Sequence, residues 1–373
     1  MNGKTYCAGV GLSKNKMKTL IIVHRDNLRK QWAESLHNMS GYSYNDIHEI
    51  VSTSEIYDII HGHYKPDYDV YIMTHATFRA GVSHLGSLRE AELFTYNLKI
   101  GMKIIDEAHL EFRDTLLMDA VMNVKRNLYL TATDARSAKE ENAIFKYSFR
   151  NAIYYKEKLS ISDNKPKKWV NYVTVAVNSH CPPNIYRYRV AGSRGMNSAT
   201  YGKWVIAYDK SKTHFKACRD LVKQTFMEDG HSKMIIFMPL IDLCENLQEF
   251  LFRELSDDEK FEYDLDIRTM NSLHSKSENE RAKKADVLIT TIGSAGTGID
   301  IPGITDIICC SPFVSGVTAI QVFGRIRYIP KKCHYYDIYD TSVLMDRIWI
   351  NSRSKKIRPR ALNVIHMEYT PDT

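Results

Sequence analysis

Two adjacent carboxylates, Asp106 and Glu107, stand in the run Ile104-Ile105-Asp106-Glu107-Ala108-His109. The apolar stretch Met102–Ile105 before them reads as a buried strand, and in parallel α/β sheets ligands gather at the carboxyl ends of strands. Paired acids there suit a Mg2+–nucleotide site. Asp106 would hold the metal, commonly through water, and Glu107 would orient or deprotonate an attacking water. A bare Asp-Glu pair is more often a surface turn, but D-E-A-H after an apolar strand is far more specific. Downstream, Leu130-Thr131-Ala132-Thr133 leaves a second strand-like run, with two hydroxyls able to bond neighbouring groups.

The second half of the chain supplies complementary chemistry. Thr290-Thr291-Ile292-Gly293-Ser294-Ala295-Gly296-Thr297-Gly298-Ile299-Asp300-Ile301-Pro302 carries three glycines and small residues that let backbone N–H groups approach phosphates. Gln321-Val322-Phe323-Gly324-Arg325-Ile326-Arg327 follows. Arginines presented from a second domain can neutralise charge on a transferring γ-phosphoryl group, an effect worth roughly 10³–10⁵ in rate.

Such groups need a rigid scaffold. Short apolar runs at Thr19–His24, Val70–Thr74, Lys103–Ile105, Leu128–Thr131, Met234–Met238, Val287–Thr290 and Asp306–Cys310 alternate with helix-length stretches such as Asn27–Asn38, Ser211–Met227 and Leu240–Leu255. This alternation predicts an α/β fold with parallel sheets covered on both faces. The chain has 373 residues, enough for about two domains. The gap between Leu130 and Met234 is too long for one α/β unit, and it contains the lysine-rich 156–169 and the glycine-containing 191–203. One domain is therefore expected at 1–152, a linker or insert at 153–204, a second domain at 205–345, and a basic tail at 346–373. Within that tail Arg353, Lys355, Lys356, Arg358 and Arg360 are expected to be solvated.

Composition excludes other classes. With 44% hydrophobic and 25% charged residues, neither disorder nor a fibrous repeat fits. No apolar stretch approaches the ~20 residues that span a bilayer, and no secretory pattern opens the chain. The seven cysteines form no C-x-x-C pair, so they read as reduced, mostly buried thiols of an intracellular, cytoplasmic protein. A net charge of +7 permits a polyanionic partner without requiring one. His61-Gly62-His63 lacks further ligands at workable spacing for a metal.

The four motifs, in this order across two α/β units, resemble superfamily 2 helicases and translocases over roughly residues 3–340. Motif style is similar to phage branch-remodelling and poxvirus transcript-release helicases. The resemblance implies two RecA-like domains of P-loop NTPase type, ATP and Mg2+ as cofactors, and nucleic acid as partner, DNA before RNA. It also distributes roles among the residues. Leu20–Arg25 with Gln31-Trp32 matches motif Ia, so His24 and Arg25 would touch the nucleic-acid backbone, as would Thr74 and His75 of the next element and Thr291 and Ser294 of the second domain. Gly298 and Asp300 would lie near the nucleotide. Gln321, Arg325 and Arg327 would close over the phosphates, and His109, Thr131 and Thr133 would relay nucleotide state. Many members place the second arginine three residues after the first, where this chain has Tyr328.

The chain opens Met1-Asn2-Gly3-Lys4-Thr5. Gly-Lys-Thr ends a Walker A loop, in which Gly3 and Lys4 would meet the phosphates and Thr5 would join Asp106 on Mg2+. The first glycine and the preceding strand of the full motif are absent. The expectation is a chain truncated inside Walker A, or one completed by a separate polypeptide, that alone binds ATP weakly. Two other functions stay open: a non-catalytic nucleic-acid-binding remnant of a motor, and the motor subunit of a restriction or remodelling complex. The motif style also suggests a phage- or virus-encoded protein acting in the infected host.

Overall fold

The computed structural model describes residues 4–131, 139–153, 168–182, 197–228, 232–256, 258, 261–295, 301–313 and 315–370. The chain divides into two compact units, Met1–Glu157 and Lys158–Thr373.

In the first unit strands β1 (Thr19–Val23), β2 (Ile47–Glu49), β3 (Val70–Thr74), β4 (Met102–Ile105) and β5 (Arg126–Tyr129) form one sheet in the order β2-β3-β1-β4-β5. All of its pairings are parallel. Helices α1 (Lys4–Asn15), α2 (Asn27–Ser40), α3 (Thr53–Ile60), α4 (His75–Val82), α5 (Glu92–Asn97), α6 (Phe112–Val121) and α7 (Lys139–Ser148) intervene. Every residue of β1, β3 and β4 is buried. Alternate side chains of β1 feed two cores. Ile21 and Val23 pack with Trp32 and Leu36 of α2, whereas Leu20 and Ile22 pack with Ile56, Phe78 and Phe94. This two-sided burial is why these strands read as unbroken apolar runs. Gly9 lets α1 lie close on α2, because a Cβ there would sit 2.4 Å from Ser40 Oγ.

The second unit has the sheet order β12-β6-β11-β10-β7-β9-β8, again parallel throughout. Its strands are β6 (Val170–Val177), β7 (Met234–Met238), β8 (Ile267–Met270), β9 (Val287–Thr291), β10 (Asp306–Cys309), β11 (Cys333–Asp340) and β12 (Val364–Glu368). Its helices are α8 (Ser198–Tyr201), α9 (Thr213–Glu228), α10 (Ile241–Ser256), α11 (Lys276–Ala282), α12 (Ile292–Ala295), α13 (Gly316–Phe323) and α14 (Leu344–Ile357).

Two expectations need correction here. Residues 153–204 are not all linker, since β6 is buried along its whole length and pairs with β11 residue for residue. The polar segments around it masked the strand. Nor is 346–373 a solvated basic tail: α14 packs on the sheet, and β12 pairs with β6. Arg353 is fully buried in α14. Its Nε and Nη2 donate to the Asp337 carboxylate at 3.2 and 2.9 Å, and its Nη1 donates to the Phe313 carbonyl at 3.2 Å. Tyr172 donates to the same carboxylate at 2.9 Å. A buried guanidinium is tolerated because these partners satisfy it. Lys355, Lys356, Arg358 and Arg360 are exposed as expected. The exit strand β5 lies two residues earlier than the sequence suggested.

Five of the seven cysteines are buried, with Cys181 half-buried and Cys7 exposed. Among the described residues no helix is long and apolar enough to cross a membrane.

Candidate functional site

The D-E-A-H segment leaves the carboxyl end of β4, and backbone bonds staple it on both sides. Asp106 N–H donates to the Ile22 carbonyl of β1 at 2.9 Å, Leu130 N–H to the Ile105 carbonyl at 2.9 Å, and Ala108 N–H to the Leu130 carbonyl at 3.0 Å. Glu107 takes a left-handed backbone, φ +48°, which is uncommon for a residue with a Cβ. Leu110 N–H closes the turn on the Glu107 carbonyl at 2.8 Å.

Both oxygens of the Asp106 carboxylate have donors. Oδ1 accepts from Glu107 N–H at 3.0 Å, and Oδ2 accepts from the indole Nε1 of Trp32 at 3.0 Å. Beside it, buried His109 joins two motifs, with its Nδ1 3.3 Å from Glu107 Oε2 and 2.8 Å from Thr131 Oγ1. The sheet order explains the meeting, because β4 and β5 are neighbours and Thr131 follows β5.

His24, just past β1, and His75, the first residue of α4, lie near the same turn. Burial first, then the neighbouring Arg25, push the His24 imidazole down to about 4; His75 and His109 act in the same direction and Glu107 opposes them. Among the described residues neither ring nitrogen of His24 has a hydrogen-bond partner. His75 is buried and its pKa is also lowered, mainly by burial. Its Nδ1 lies 3.1 Å from the Val23 carbonyl, so that nitrogen carries a proton and donates it. Thr74 is the N-cap of α4, its Oγ1 accepting from Thr77 N–H at 3.0 Å. Its hydroxyl therefore has a structural task beside any contact with nucleic acid. Thr5 is half-buried in the first turn of α1. Gly3, the Lys4 side chain, Thr133, Gly298 and Asp300 lie outside the described residues.

In the second unit Thr291 ends β9 and opens α12. Its Oγ1 accepts from Ser294 N–H at 3.1 Å and donates to Ser294 Oγ at 3.0 Å. Gln321 is half-buried on α13, Arg325 is buried just past its end, and Arg327 is exposed. Arg325 N–H donates to the Val322 carbonyl at 3.1 Å, and Trp169 Nε1 donates to the Ile326 carbonyl at 3.2 Å. Arg325 is thus the more buried of the two arginines. The structure also shows that Trp169, assigned to the linker from sequence, belongs to this unit.

Residues 2–136 match the family model of the type III restriction enzyme res subunit, and residues 213–328 match the helicase conserved C-terminal domain. The chain belongs to the superfamily 2 helicases. Transcript termination protein A18 of Yaba-like disease virus is 21% identical to this helicase-family chain over 337 residues. That match covers 87% of the chain and 62% of A18, so the chain spans less than two thirds of the length of this curated relative. Among solved structures, S. cerevisiae Dbp5 bound to RNA and ADP BeF3 superposes with a TM-score of 0.59 at 14% identity, covering 98% of this chain and 83% of that one. Mycobacterium smegmatis helicase Lhr bound to ssDNA and AMP-PNP gives 0.56 at 14% identity, covering 98% and 46%. These structures share the two RecA-like α/β domains.

One contact escaped the sequence reading of this superfamily 2 chain. Gln31-Trp32 marks motif Ia, but nothing in its spacing from Asp106 shows that the indole reaches that carboxylate.

Proposed function

We propose that this chain is an ATP-dependent helicase or translocase motor whose partner is single-stranded nucleic acid, DNA before RNA. The observation that carries the reading is the stapled turn after β4, where Asp106 and Glu107 follow one another at a sheet end held by backbone hydrogen bonds to Ile22 and Leu130. That donor set fits Mg2+, a hard cation that takes oxygen ligands. Asp106 and Thr5 would hold the ion, and Mg2+ when bound would neutralise phosphate charge.

The chain's own residues do the rest. Glu107 would accept a proton from the attacking water at its carboxylate. His109 would report the position of Glu107 to Thr131 through the contacts already present. Arg325, with Gln321 and Arg327, would supply positive charge from the second unit. Thr74, His75 and Arg25 in the first unit, and Thr291 and Ser294 in the second, would grip the sugar-phosphate backbone, largely without regard to sequence. The viral origin of A18 supports a virus-encoded protein. The res-subunit match keeps a motor subunit of a larger complex as the second reading.

The test is ATP hydrolysis by the full-length protein with single-stranded DNA, single-stranded RNA and branched duplex compared side by side. Stimulation that is greatest with DNA and falls steeply with salt is the expected result. Hydrolysis unaffected by any nucleic acid would contradict the reading.

A further inference from the structure

We propose that Trp32 is a positioning residue for the reaction, fixing the Asp106 carboxylate through its indole N–H. The inference rests on the reading of Asp106 as the metal-holding acid. Trp32 is 2% exposed. Its ring lies in the apolar core of the first unit with Ile21, Val23, Leu28, Leu36, Ile104 and Leu130. Its only polar atom emerges from that core to meet Asp106 Oδ2 at 3.0 Å. A buried indole N–H requires an acceptor, and α2 brings this one to the catalytic turn rather than to a backbone carbonyl.

The consequence is geometric. A carboxylate on a single Cβ can rotate about its terminal bond, and that torsion is soft. Here one oxygen accepts from Glu107 N–H and the other from Trp32, so two donors on opposite oxygens set the plane of the group. The lone pairs left on each oxygen then point in fixed directions toward anything bound at the sheet end. The Glu107 donor is part of the turn itself, whereas the Trp32 donor comes from a separate helix. Packing of α2 on the sheet is thereby coupled to the aim of Asp106. Groups that orient a metal ligand in this way commonly change metal affinity by 10–100-fold when removed.

Trp32 also supplies its own readout, because the other three tryptophans, Trp169, Trp204 and Trp349, all belong to the second unit. Four proteins are compared with ADP or ATP and increasing Mg2+: wild type, Trp32→Phe, Asp106→Asn and the double variant. Trp32→Phe keeps an aromatic ring in the core and removes three ring atoms, the donor nitrogen among them, so its folding stability is measured alongside. Its Mg2+ requirement for half-maximal nucleotide binding and turnover should rise about tenfold, with turnover at saturating Mg2+ much less affected. Tryptophan emission of the wild type should change on adding Mg2+ to the ADP-bound protein, and this change should be absent from both variants. The double variant should be no more impaired than Asp106→Asn alone, since Trp32 acts through Asp106.

An unchanged Mg2+ requirement in Trp32→Phe, while Asp106→Asn raises it strongly, would overturn the inference and leave the reading of Asp106 intact. An unchanged requirement in Asp106→Asn would overturn both. Should Trp32→Phe fail to fold, the emission comparison between wild type and Asp106→Asn decides alone. A Mg2+-dependent change that persists in Asp106→Asn would count against the coupling.

Discussion

Glu107 combines an unusual backbone with the carboxylate proposed to accept a proton from the attacking water. Its left-handed φ follows from a turn that must leave β4, return to Leu130 and keep Asp106 paired to β1, so a tight path is imposed by three backbone bonds. Glu107→Gln preserves size and the backbone N–H donor to Asp106 but removes the basic oxygen. ATP turnover should drop by a factor of about 10² or more while nucleotide affinity stays close to wild type, as read by steady-state hydrolysis and equilibrium nucleotide binding. Nearby His24 gives a pH prediction. Its folded pKa of about 4 lies below its ordinary 6.5. Between those values the unfolded chain holds a proton that the native chain does not. The contribution of His24 to stability is therefore full above pH 6.5 and is lost progressively as pH falls toward 4. Asp346 acts in the opposite sense, since burial raises it to about 6 and its cost is relieved on acidification. Comparing variant with wild type isolates the histidine: in urea unfolding between pH 7.5 and 5, His24→Gln should lose less stability than wild type.

Helices and strands were legible where burial made their chemistry uniform. The runs at Thr19, Val70, Met234 and Val287 are apolar because helices cover both sheet faces, and each is a strand in the structure. Strand β11 was hidden because Asp337 and Asp340 interrupt its apolar character, yet both are fully buried and hydrogen-bonded. The basic reading of the last segment failed on Arg353 for the same reason, since a sequence cannot show that an arginine has an aspartate waiting inside the sheet. The Asp106–Glu107 turn was readable from its motif, whereas the Trp32 contact depends on how α2 packs across β1 and has no sequence signal of its own. The Arg353–Asp337 pair gives a stability prediction for this element. Arg353→Met should cost about 3–5 kcal/mol in chemical unfolding, because Asp337 is left buried without its cation. Replacing Asp337 by Leu as well should recover a large part of that loss. Equal stability of the single variant and wild type would show that water reaches the carboxylate.

Across the whole molecule, the candidate carboxylates Asp106 and Glu107 belong to one unit and the candidate arginines Arg325 and Arg327 to the other. The first unit carries Asp106, Glu107, His109 and Thr131 within one turn and its neighbouring strand end, and the second carries Gln321, Arg325 and Arg327 on and just after α13. Under the proposed function the chain would work by ligand-biased closure, with the triphosphate as the shared ligand and its hydrolysis releasing one unit from the other. The central claim is that both units act on the same γ-phosphoryl group. Binding of ADP–aluminium fluoride, which presents a charged mimic of the transferring group, tests it most directly when compared with binding of ADP alone in wild type and Arg325→Ala. If Arg325 meets that group, Arg325→Ala should weaken the fluoride complex at least tenfold and leave ADP affinity within about twofold. Equal affinity of the two proteins for the fluoride complex would contradict it.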